Sequence, residues 1–103
     1  MPINWTPQAL LALGQEFWKA AAIEAAIKLS LFPAIAELAP HSTVATIAEK
    51  IDSDPRGLGM LLAALTALDL LHKDRESYSL TEFASQYLLE KSPDYFGDIL
   101  VHF

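Results

Sequence analysis

Apolar residues recur at helical spacing along most of this chain, and capping and helix-breaking residues divide the pattern into separate segments. Thr6-Pro7 marks the first helix start, because a threonine hydroxyl accepts a free amide hydrogen and proline suits the first helical position. The segment that follows runs to about Leu29 and has no single polar face. At about 100° per residue, Gln15, Glu16 and Lys19 share one side, whereas Glu24 and Lys28 fall about half a turn away. Leu10, Leu13, Phe17 and Ala21 form one apolar stripe, and Ile23 and Ile27 lie on the side that was polar a few turns earlier. Such a segment is expected either to kink, with Gly14 as the marker, or to be buried on two sides.

The remaining elements are shorter. Ser30-Leu31-Phe32-Pro33 reads as a break, followed by a second helix over Ala34 to Leu38 that ends at Pro40. A two-turn helix follows to Ile51, capped by Ser42 or Thr43, with Val44, Ile47, Ala48 and Ile51 inward. Asp54-Pro55 repeats the cap-then-proline signal and opens a leucine helix carrying Leu58, Leu61, Leu62, Leu65 and Leu68. The polar turn between these two helices is that of a helix-turn-helix. Leu70-Leu71-His72-Lys73 and Tyr78-Ser79-Leu80 then flank Asp74-Arg75-Glu76-Ser77 as a small hairpin, or wing. Ser79-Leu80-Thr81-Glu82 has the capping-box pattern for a helix with Phe83, Ala84, Tyr87 and Leu88 on its apolar face, and Asp94 to Phe103 reads as a last helix. The fold class is therefore all-α, mainly helical, with one β-hairpin: a winged-helix-like arrangement in a single domain, residues 1–103.

Composition sharpens this picture. The chain is 52% hydrophobic and 19% charged, with mean hydropathy +0.27, which leaves a small domain with more apolar surface than its core can hide. A second copy of the chain is the expected cover, and Leu10, Leu13, Phe17, Ala21, Ile23 and Ile27 are the expected homodimer interface. The formal net charge of −6 opposes binding to a phosphate backbone. A DNA-binding winged-helix regulator is the main alternative, but its recognition helix would carry only Arg56 as a base, with Gly59, Met60, Ala63, Thr66, Ala67 and Asp69 outward, and the wing sets Lys73 and Arg75 against Asp74 and Glu76.

Catalytic chemistry is not expected. No glycine-rich loop follows a strand, His41, His72 and His102 have no metal-ligand spacing, and the serines fall at caps and breaks. No catalytic, cofactor-binding or metal-ligating residue is assigned. Trp18, Tyr95 and Phe96 are candidate pocket walls, and a dimer that holds an apolar small molecule at the interface between its subunits is a further alternative. The absence of cysteine fits a reducing compartment, and neither a secretory signal nor a membrane span is expected, so the expected location is cytoplasmic.

Several ordered motifs combine: Asp54-Pro55-Arg56-Gly57-Leu58, the leucines that follow to Leu70-Leu71, Tyr78-Ser79-Leu80-Thr81, Tyr87-Leu88, Tyr95-Phe96-Gly97-Asp98 and His102-Phe103. In these, the chain from about Leu10 to Phe103 resembles the N-terminal dimerisation domain of S-adenosylmethionine-dependent small-molecule O-methyltransferases. The resemblance implies two domains interlocked through their first helices, each able to close part of the partner's substrate pocket. It also implies that S-adenosylmethionine and the catalytic base belong to a following Rossmann-like domain that these 103 residues do not include. The chain is accordingly expected to lack methyl-transfer activity by itself and to bind the cofactor only where such a domain follows. Gly59 and Met60 depart from the basic or larger polar residues that relatives often carry there.

Overall fold

A computed structural model describes residues 4–101. Six helices and one hairpin follow in the order α1 (Pro7–Lys28), α2 (Leu31–Leu38), α3 (Val44–Ile51), α4 (Pro55–Ala67), β1 (Leu71–Asp74), β2 (Ser77–Leu80), α5 (Glu82–Tyr87) and α6 (Gly97–Val101). This is the helical, winged-helix-like class that the sequence pattern predicts. His102 and Phe103, placed by that pattern in the last helix, lie outside the described residues.

The caps act as the sequence implies. Thr6, Thr43, Asp54 and Thr81 each accept a hydrogen bond from a backbone N–H three residues on, satisfying one of the free donors of a first helical turn. At α3 the box is reciprocal, Thr43 with Thr46, so Thr43 is the cap and Ser42 is released for another role. For α5 the cap is Thr81; Ser79 belongs to β2.

Three boundaries differ from the sequence expectation. The first helix is not interrupted at Gly14: it continues unbroken to Lys28, and its own fold buries it only over its last turns, at Ala22 and Ala26. The break after it is Leu29-Ser30, where Ser30 adopts a left-handed φ of 55°, and α2 already begins at Leu31. Pro33 then stands in the first turn of α2, where the missing N–H has no intrahelical partner to lose. The last helix starts at Gly97, three residues later than expected, because Phe96 N–H bonds the carbonyl of Tyr87 and turns the chain back onto α5.

Leu31, Phe32, Ile35, Ile47, Leu62, Leu65 and Leu71 form a core with almost no exposed surface, joined by Ala22 and Ala26 of α1 and by Ala84 and Leu88 beside the wing. Each large side chain in such a core contributes roughly 1.5–3 kcal/mol of transfer free energy. The hairpin is antiparallel, with Leu71 opposite Leu80 and Asp74 opposite Ser77, so the loop is only Arg75-Glu76. Arg75 takes the left-handed φ of 59° that glycine normally supplies in a two-residue loop.

Candidate interaction surface

The surface that stands out begins with a reversal of faces along α1. In its last two turns Ala22 and Ala26 are buried and Ile23 and Ile27 are half-buried against the core. At 3.6 residues per turn, those four positions share the side on which Gln15, Glu16 and Lys19 stand earlier in the helix. The apolar stripe of Leu10, Leu13, Phe17 and Ala21 therefore points about half a turn away from the chain's own core. From Pro7 to Ala21 every residue except Ala9 is exposed; Leu10, Leu11 and Phe17 are 62, 64 and 67% exposed. The first half of α1 thus projects as an arm, with its polar side continuing the core-facing line and its greasy side turned outward. Lys28 pairs with Glu24 at 2.7 Å and closes the C-terminal end of this face, while Lys19 pairs with Glu16 at 3.2 Å on the polar side of the arm.

On the flank of Trp18 the outward face runs into a groove between α1 and α4. Its floor is Ala21, Ala22, Ala63, Ala64 and Ala67, and Met60 stands over it with 71% of its surface exposed. On the opposite flank α6 packs beside α1, bringing Leu100 near Ala20 and Ile23. Phe96 lies elsewhere, in a wholly apolar cleft of about 300 Å³ with Phe83, Tyr87, Leu88 and Leu100. Phe83 stacks against Tyr87 with ring centroids 4.7 Å apart, so it faces outward and not into the core.

Of the six residues read from the sequence as an interface, Leu10, Leu13, Phe17 and Ala21 come together on the exposed face. Ile23 and Ile27 pack against the chain's own core, which leaves them little surface for a partner. The three residues read as pocket walls do not meet: Trp18 lines the α1/α4 groove, Phe96 the α5/α6 cleft, and Tyr95 neither. Tyr95 folds instead over Gly97, and burial, reinforced by the charges of Asp98 and Glu90, pushes its phenol above the ordinary tyrosine value. Leu11 and Met60 were missed. Leu11 could have been found, since it stands seven residues before Trp18 on the same flank, whereas Met60 needed the placement of α4 beside α1.

Among the described residues no group of three or more His, Cys, Asp or Glu side chains converges as a metal site, and no helix is long and apolar enough to cross a membrane. What the surface offers chemically is apolar area with small residues at its centre, the chemistry of helix packing.

The chain is similar to 3-hydroxy-5-methyl-1-naphthoate 3-O-methyltransferase of Streptomyces sahachiroi, 36% identical over 96 residues that make up 93% of this chain and 27% of that protein. The fold superposes on an O-methyltransferase family protein from Burkholderia thailandensis with a TM-score of 0.81 at 27% identity, covering 97% of this chain and 29% of the other. It also superposes on human N-acetylserotonin methyltransferase in complex with SAM, with a TM-score of 0.79 at 25% identity, covering 99% of this chain and 31% of the other. The chain thus spans less than a third of the length of each of these proteins. Residues 11–90 match the model of the O-methyltransferase dimerisation domain, and the chain belongs to that family.

Proposed function

We propose that residues 1–103 fold as one domain that joins two copies of a S-adenosylmethionine-dependent O-methyltransferase, and that this domain transfers no methyl group by itself. The observation that carries the reading is the arm: Leu10, Leu11, Phe17 and Trp18 stand exposed on a helix whose apolar face is turned away from its own core. Family membership supports the same conclusion, and so does the short span of the chain on its methyltransferase relatives. Sedimentation equilibrium at micromolar concentration tests it, with a particle of twice 11.3 kDa expected. Phe17→Glu places a carboxylate on the face in both copies and should weaken association by about a hundredfold or more, given the 1.5–3 kcal/mol that burial of each phenylalanine supplies. A monomer from the unsubstituted chain would defeat the proposal. Titration with S-adenosylmethionine should show no heat of binding by the chain alone.

The cleft of Phe83, Tyr87, Leu88, Phe96 and Leu100 supports a second role, the holding of an apolar aromatic molecule. Native mass spectrometry of the purified chain tests it; a retained small molecule lost in Phe96→Asp supports the role, and a bare mass after incubation with naphthoates opposes it.

A further inference from the structure

The outward face of α1 alternates large and small residues, and the order of that alternation specifies how a second copy fits it. This step rests on the homodimer reading above. Along the centre of the face stand Leu10, Gly14, Phe17 and Ala21, all exposed. When two identical helices pack antiparallel, residues whose numbers add to a constant stand level with each other across the contact. With a two-fold axis level with the 15–16 peptide, Phe17 lies opposite Gly14 of the partner subunit and Leu10 opposite Ala21 of the partner subunit. Each large side chain then meets a small one, and the two-fold repeats both pairs, giving four knobs seated in four gaps. A parallel pair would instead set Phe17 against Phe17 of the partner subunit and Gly14 against Gly14 of the partner subunit, a clash beside a void.

Gly14 supplies independent support. A Cβ added there meets nothing within 4 Å in the single chain, so the residue weakens the middle of an exposed helix without any packing return inside its own fold. The close approach of a second backbone is what would require it. The flanks agree as well. A two-fold axis perpendicular to the plane of the helix pair keeps Leu11 and Trp18 of both copies on one side, the side of the α1/α4 groove. Leu11 of the partner subunit then falls level with Ala20, above the alanine floor beside Met60.

The area is of the right size. Phe17 and Trp18 expose on the order of 250 Å² together. Leu10, Leu11, Leu13 and Met60 raise the total toward the roughly 800 Å² per partner that a stable interface buries.

We propose that two copies of this chain pack α1 against α1 antiparallel, with Phe17 seated over Gly14 and Leu10 over Ala21 of the partner subunit. The chain contains no cysteine, so introduced pairs report on this register alone. Leu10→Cys/Ala21→Cys should become a covalent dimer under oxidised glutathione, while Leu10→Cys/Phe17→Cys and Leu10→Cys alone should not. Gly14→Ala should raise the helicity of α1 in the Phe17→Glu monomer, read by far-UV circular dichroism, and weaken association of the otherwise unsubstituted chain by about tenfold or more, because added core volume forces the helices apart. Cross-linking through Leu10→Cys alone, or unchanged association in Gly14→Ala, would overturn the register while leaving the homodimer intact. A monomeric unsubstituted chain would overturn both.

Discussion

Ser42 and Tyr78, 36 residues apart, hold the wing to the helices: the Ser42 hydroxyl donates to the Tyr78 carbonyl, and the Tyr78 N–H donates to the Ser42 carbonyl at 2.9 Å. Ser42 is the one fully buried polar residue among those described, and neighbouring Ser77 adds a bond from its hydroxyl to the Pro40 carbonyl at 2.6 Å. Ser42→Ala removes a buried donor and leaves the Tyr78 carbonyl short of a partner, which should cost about 1–3 kcal/mol. The urea midpoint of unfolding, measured in the Phe17→Glu monomer so that association does not contribute, should fall with an unchanged slope.

That tie explains which features of the fold were legible in the sequence. Caps are local, and Thr6, Asp54 and the leucines of α4 announce themselves within a few residues. The role of Ser42 is not local, since its partner is chosen by the tertiary position of the hairpin. Nothing adjacent to Ser42 distinguishes it from Thr43 as a cap. The start of α2 was hidden for a different reason: Pro33 signals a break in an interior position and is harmless in a first turn. In α1 the pattern was visible, with Ile23 and Ile27 standing where Gln15 and Glu16 had been. Its meaning depended on where the core ends, because a helix that leaves its domain halfway reverses its apolar face without a kink.

Lys50 Nζ lies 2.8 Å from Glu37 Oε2 and links α3 to α2. The hydrogen bond from Lys50 and then its charge hold the Glu37 carboxyl below the ordinary value of 4.5. A carboxylate depressed in the folded state stabilises the fold above the unfolded value and loses that contribution as pH falls through the folded one. Glu37→Gln should therefore flatten the acid side of the stability curve below about pH 5. The difference from the parent should shrink in high salt, since both groups face solvent.

Gly97 is buried beneath the Tyr95 ring, and a methyl group there would come within 2.6 Å of Tyr95 Cε1. Gly97→Ala should drive the ring into water and return its raised phenol toward 10.0, detectable as earlier phenolate absorbance on alkaline titration. In the parent chain the unfolded state releases this proton first as pH rises past about 10, so the stability present below that value is lost above it. The substitution should reduce that alkaline loss even as it lowers stability at neutral pH.

Arg75 carries a left-handed backbone in the two-residue loop of the wing. A non-glycine residue in that conformation costs about 1–2 kcal/mol, and glycine gives back part of the difference through its freer unfolded chain. Arg75→Gly should therefore raise stability by about 0.5 kcal/mol, read as a higher thermal midpoint in the Phe17→Glu background.

Helical segments without tertiary support are marginal in water, since few residues offset the cost of nucleation. In α1 the turns around Ala22 and Ala26 are anchored by the core, whereas every residue from Pro7 to Phe17 except Ala9 is exposed in a single chain. Backbone amides from Leu10 to Lys19 should thus exchange rapidly with deuterium in the Phe17→Glu monomer, while those from Ala22 to Lys28 stay protected. In the unsubstituted chain, protection over Leu10 to Lys19 should rise with protein concentration, because each arm gains a second wall only when a partner supplies it. Equal protection of both halves in the monomer would mean that the arm is held by its own domain and needs no partner.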